Sequence, residues 1–195
     1  MDSISFFVPK KSEKLLQTWI DNLNIEVKIV NSRKYKLGDF RVQNMNMKIT
    51  INKNLNQYSF LITIVHEIAH AFVFKKYKNN ILPHGKEWKK TFKSLMLNFL
   101  TLDFFPEDIL KVLTHHMINP KASTYSDLDL VRILREYNKE ILLTVSDLHF
   151  GDCFKNTNGK IFSKGKKKRK RFECVECKTN KIYLFHPFAE IVKVN

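Results

Sequence analysis

The chain has 195 residues, 44% of them hydrophobic, which is enough for one domain of ordinary size with a real core plus a small appendage. Its 34 Lys/Arg against 19 Asp/Glu give a formal net charge of +15, so a polyanion, either nucleic acid or an acidic membrane surface, is the expected partner. No stretch resembles a spanning helix: the apolar run from Phe60 to Phe74 is broken by His66, Glu67 and His70 and is too short to cross a bilayer.

Taken from the N-terminus, "MDSISFFVPKKSEK" has no basic region leading into an apolar one, so it does not read as a signal peptide. With three cysteines, an odd number, and no export signal, the thiols are expected to be reduced and the protein cytoplasmic, or nucleoid-associated in a bacterium; of the two polyanions, DNA and not a membrane is the expected partner. Leu15, Leu16, Trp19, Ile20 and Leu23 have helical spacing, with Ser12 and Glu13 near the start. "IEVKIVN" alternates as a half-buried strand does, and "YKLGDFRV" and "MKITIN" predict two more, with Gly38-Asp39 either a turn or a bulge. A long apolar helix is predicted from about Gln57 to Tyr77, then a loop, "KNNILPHG". "KEWKKTFKSLMLNFL" is amphipathic, with Trp88, Phe92, Leu95 and Phe99 on one side. "PEDILKVLTHHMI" opens on Pro106 and acidic residues, a favourable helix start, and "SDLDLVRILREYNKE" predicts a further helix with Ser126 as its cap. His115 and His116 read as one surface and one packed histidine.

The composition changes near Leu148. Residues 151–195 hold 12 Lys/Arg against 4 Asp/Glu, a net of +8, whereas residues 1–150 hold 22 against 15, a net of +7. The predicted class is α+β: residues 1–147 form a helix, a short three-stranded sheet and several helices, and residues 148–195 form a small basic β module.

The predicted long helix carries His66-Glu67-x-x-His70. Four residues apart on a helix, the two imidazoles share a face and can ligate one ion. Zinc then needs a third ligand and a vacant position for water, and His84, between Pro83 and Gly85, is the candidate. Glu67 is placed to take the proton of that water, the chemistry of metal-assisted hydrolysis. A glutamate and two histidines buried in an apolar helix without a shared partner would be costly, which favours a metal over a plain core helix.

"HEIAHAFVF", the "HGKEW" that follows, the strands before them and "PEDILKVLTHHM" after them resemble the SprT-like metalloproteases, over about Leu15 to Met117. The resemblance implies a zincin-like domain at 1–147 with His66, His70 and His84 as ligands of one zinc and Glu67 as the catalytic residue. It also implies an endopeptidase acting on proteins bound or crosslinked to DNA. The rival reading is a nucleic-acid-binding or transcription-related protein whose metal is structural and which cleaves nothing.

Many SprT-like proteins end in a zinc ribbon, and "CVEC", Cys174 to Cys177, invites that reading. The partner pair is missing; only Cys153 precedes it, with His149 and His186 as irregular stand-ins. The favoured reading is a β-hairpin, "RFECVECKTNKIYLF", turning near Thr179-Asn180, with no second metal. The run Lys164, Lys166, Lys167, Lys168, Arg169, Lys170 and Arg171 predicts phosphate contacts with DNA without sequence preference. Phe162 and Phe172 beside it are either base-stacking or core residues.

Overall fold

The computed structural model describes residues 4–33, 36–78 and 80–194. It is α+β and divides into two compact units, Met1–Lys139 and Glu140–Asn195. The break precedes the one expected at 147/148, because the chain just before Leu148 is tied by backbone to the tail. Val145 N–H donates to Ala189 O (3.2 Å), Ser146 N–H to Pro187 O (2.9 Å) and Ile191 N–H to Leu143 O (2.9 Å).

In the first unit, helix α1 (Glu13–Leu23) buries Leu16, Ile20 and Leu23 along one stripe and ends at Asn24, which takes the left-handed conformation usual past a helix end (φ 53°). Ser12 precedes α1 without capping it, since its hydroxyl donates back to Pro9 O (2.6 Å). Strands β1 (Ile25–Val30), β2 (Gly38–Gln43) and β3 (Asn46–Asn52) form a sheet of order β1-β3-β2. β3 is parallel to β1 (Val27 opposite Ile49) and antiparallel to β2 (Phe40 opposite Ile49). Asn44 and Met45, at φ 49° and 64°, make the tight β2–β3 hairpin, whose twist matches that of the strands only with such residues. Gly38 is the first residue of β2, so the turn-or-bulge alternative resolves to a strand end.

Helix α2 (Gln57–Tyr77) is apolar nearly all round and is therefore central. Asn56 caps it, accepting from Tyr58 N–H (3.1 Å) and Ser59 N–H (2.9 Å). α2 packs against α1, β2, β3 and helix α3 (Lys86–Met96), which buries Trp88, Phe92 and Met96 at four-residue steps. Helix α4 (Glu107–Ile118) follows Pro106, with Glu107 and Asp108 at its positive end, and leaves His115 exposed and His116 buried. Helix α5 (Leu128–Arg135) is capped by Asp127 rather than the expected Ser126. Ser126 is consumed by a single 3-10 turn, its hydroxyl donating to Ser123 O (2.5 Å). The helix also stops short of Glu140; Tyr137 leaves it, its hydroxyl held by both carboxylate oxygens of Asp108 (2.8 and 2.9 Å).

The second unit is an antiparallel five-stranded sheet of order β7-β6-β5-β4-β8. Its strands are β4 (Cys153–Asn156), β5 (Ile161–Lys168), β6 (Arg171–Glu176), β7 (Ile182–Phe185) and β8 (Ile191–Lys193). Val145, Leu148, Phe154, Phe162, Cys174 and Ile191 form its own small core. The expected β6–β7 hairpin is present: Asn180 N–H (φ 55°) donates to Glu176 O (2.8 Å), and Thr179 Oγ1 to the Glu176 carboxylate (2.6 Å).

Candidate metal centre

Three side chains from two elements converge. His66 and His70 project from one face of α2, one turn apart, as a four-residue helical step requires. His84 arrives on a turn, Leu82-Pro83-His84-Gly85, closed by Gly85 N–H to Leu82 O (3.0 Å). Pro83 stands second and His84 third with φ 57°, the pattern of a type II turn, in which the third residue must be left-handed. A non-glycine there costs on the order of 1 kcal/mol, which ligation by its side chain can offset. Gly85 is required by space, since a Cβ on it would lie 2.9 Å from Leu82 O.

The Nε2 atoms of His66 and His84 are 3.1 Å apart, those of His66 and His70 3.3 Å, and those of His70 and His84 3.0 Å. Three imidazole nitrogens so placed cannot satisfy one another, because each neutral ring carries a single proton. Nitrogens bound tetrahedrally to one zinc at about 2.0–2.1 Å lie about 3.3 Å apart, so the triangle fits such an ion. Among the described residues this is the one group of three or more His, Cys, Asp or Glu side chains arranged to hold a metal.

Burial favours the neutral, ligating form of all three imidazoles, and the neighbouring histidines add to it at His66 and His70. Burial, then the neighbouring histidines, pushes His66 well below its ordinary value, and burial with His84 takes His70 down to about 4. Burial alone lowers His84. Glu67, the next residue of α2, is 7% exposed. Burial first, then the carboxylate of Asp39, pushes it up to about 8, against smaller opposing effects of Arg33, the Phe40 backbone N–H and Lys36. Asp39 itself stays low, held by Lys36 (2.7 Å) and Arg41 (2.5 Å) against the cost of its partial burial.

Trp88, fully buried, is the platform of the cluster. Its ring lies 4.5 Å from His66, 4.7 Å from His84 and 5.3 Å from His70, centroid to centroid, with Phe92 stacked behind it at 4.9 Å. The sequence marks it as a core residue and as the tryptophan of "HGKEW", four residues after His84. Its Nε1 has no hydrogen-bond partner among the described residues. The site opens into a cleft of about 650 Å³. β2 from Gly38 to Phe40 lines one side, Val73, Phe74, Ile81 and Leu82 line an apolar part, and Ala122, Ser123 and Thr124 line another wall. No periodicity points to that last segment, which reaches the cleft only through the tertiary fold.

The basic run divides. Lys166, Lys167, Lys168, Arg169, Lys170 and Arg171 are exposed along the β5–β6 hairpin, whose tip residue Arg169 is left-handed (φ 54°). Lys164, expected among the phosphate contacts, is buried instead: its ammonium donates to the carbonyls of Leu148 (2.5 Å) and Ser146 (3.4 Å) and lies 4.2 Å over the Phe172 ring. Phe162 is buried and stacks on Phe154 at 5.6 Å, and Phe172 packs on the same core, so both are structural. Cys174 is enclosed in that core while Cys177 is exposed past the strand end, where desolvation and then the neighbouring Cys153 thiol push it up.

No described helix is long and apolar enough to cross a membrane. No curated protein sequence matches the chain significantly. The sequence pattern of the SprT-like family does match, over residues 10–109, a stretch that includes α1, the three-stranded sheet, all three histidines and α3. That family is associated with zinc and with metallopeptidase chemistry, and this chain belongs to the SprT-like family.

Proposed function

We propose that the protein is a zinc-dependent endopeptidase with one zinc per chain, held by His66, His70 and His84, and with Glu67 as its general base. The observation that carries this reading is the triangle of Nε2 atoms beside a buried carboxylate in an open cleft. Three ligands and an open side are the pattern of catalytic rather than structural zinc. When bound, zinc polarises the substrate carbonyl and acidifies a water. Glu67 accepts a proton from the attacking water at a carboxylate oxygen and returns it to the nitrogen of the leaving amine. Burial favours the protonated carboxyl, and the positive charge of a bound zinc would oppose it, favouring the ionised carboxylate that accepts the proton, while Trp88 and Phe92 keep water from the back of the imidazoles.

The substrates in this reading are proteins bound or crosslinked to DNA, inside the cytoplasm or nucleoid. The six exposed basic side chains of the β5–β6 hairpin supply phosphate contacts without base readout. The deciding experiment is cleavage of a basic DNA-binding protein by the zinc-loaded enzyme, with and without DNA. Cleavage stimulated by DNA is expected. Stoichiometric zinc with no cleavage in either condition would leave the rival, a nucleic-acid-binding protein with a structural metal.

A further inference from the structure

Gly38 opens β2, and glycine is depleted in strands because it has no side chain to pack. Its φ is not in the left-handed region, so conformational freedom does not explain it. Space does. A Cβ on Gly38 would fall 2.6 Å from Glu67 Oε1, 2.9 Å from Glu67 Cγ and 2.7 Å from Thr63 Cγ2. Glycine in a strand marks close approach of another group, and here that group is the carboxylate beside the metal-binding histidines.

Thr63 and the strand itself do not yield easily. Thr63 is buried, and its hydroxyl donates to Ser59 O (2.7 Å), which fixes the rotamer that aims Cγ2 at the strand. β2 is paired to β3 from Gly38 to Gln43, and β3 is paired on its other edge to β1. The nearby chain is also pinned: Asn52 Nδ2 donates to Lys36 O (2.9 Å), and Asn52 N–H to Leu37 O (2.9 Å). What remains to move is the Glu67 carboxylate, the far end of a side chain with three rotatable bonds.

We infer that Gly38 is a positioning residue for Glu67: the missing side chain leaves the space in which the carboxylate stands, and filling it displaces the proton acceptor without disturbing the three imidazoles. This rests on the reading of Glu67 as general base. Misplacement of a reacting group by about 1 Å costs up to about 100-fold in rate. A Gly38→Ala variant is therefore expected to keep zinc at the wild-type level and KM within about threefold, and to lose about 10- to 100-fold in kcat. Because the methyl also meets Thr63, the same substitution is made in a Thr63→Ser background, which removes Cγ2, keeps the hydroxyl and relieves the pressure on folding. The kcat loss should persist there relative to Thr63→Ser alone. A crystal structure of the double variant should show the Glu67 carboxylate moved while the three Nε2 atoms keep their triangle. Wild-type kcat in the double variant, or an unmoved Glu67, overturns the inference. An inactive wild-type enzyme overturns the assigned function instead, and the Glu67 position in the crystal still decides whether Gly38 sets it.

Discussion

At the scale of single residues, Glu67 is the most exposed to test. Glu67→Gln keeps shape and hydrogen bonding but cannot take a proton, so cleavage should fall by about 10²- to 10⁴-fold with zinc retained. Cleavage at the wild-type rate would remove Glu67 from the chemistry. His84→Ala should lose zinc, read by metal analysis after dialysis; retained stoichiometric zinc would mean that another ligand completes the site. The metal-free protein offers a separate check by pH. Burial raises Glu67 from 4.5 to about 8 in the folded state. The unfolded chain therefore holds fewer protons through that window, and stability falls as pH rises, by on the order of 5 kcal/mol at completion. His70, lowered from 6.5 to about 4, acts in the opposite sense, so its contribution is lost as pH falls through that range. Chelated Glu67→Gln should thus melt above chelated wild type by a margin that widens from pH 5 to pH 8. A constant margin would take burial out of the explanation. His66, Glu67, His70 and His84 are legible in the sequence because ligand types at fixed spacing need no knowledge of the fold. Gly38 is not, because its meaning lies in a contact between β2 and α2 that no local pattern contains.

Among the elements, the helices and strands are readable where one face is apolar, as in α1 and α3, or where the whole helix is, as in α2. Ends are less so. α5 is capped one residue later than expected because a 3-10 turn competes for Ser126, an outcome set by Ser123 and not by α5. The β5–β6 hairpin shows the same limit: Lys164 belongs to a basic run in sequence but to the core in space, since strand residues alternate faces. The two roles separate by mutation. Neutralising Lys166, Lys167, Lys168 and Arg169 should weaken binding to all DNA sequences alike and lower the salt slope by about 0.9 for each phosphate that is no longer neutralised. An unchanged slope would place the phosphate-binding surface elsewhere. Lys164→Ala should instead lower the melting temperature, because the Leu148 and Ser146 carbonyls are left without their donor, at a cost of about 1–3 kcal/mol.

For the molecule as a whole, the charge asymmetry in the sequence marks the second unit, although the break sits at Lys139–Glu140 because residues before Leu148 pair with the tail. The two units should differ in their dependence on metal. In the proposed reading zinc binds only the first, and a ligand specific for the folded state adds about 4 kcal/mol at a thousand times its Kd. Chelation should lower a melting transition assigned to the first unit and leave one assigned to the second in place. Metal analysis should give about one zinc per chain, unchanged in Cys174→Ser and Cys177→Ser. A value near two that falls in either variant would mean that the tail rearranges into a zinc ribbon.

Trp88 gives the site a property unrelated to catalysis. The chain has two tryptophans, and this one touches all three imidazoles. An excited indole loses energy to acceptors at contact distance, so its fluorescence registers what the imidazoles hold. In a Trp19→Phe variant all indole emission comes from Trp88, and cobalt(II), which absorbs visible light and quenches nearby fluorophores, should extinguish most of it at one equivalent. In the proposed reading the protein thus carries an optical gauge of its own metal occupancy, one that would be readable during turnover, in the presence of DNA and without any attached dye.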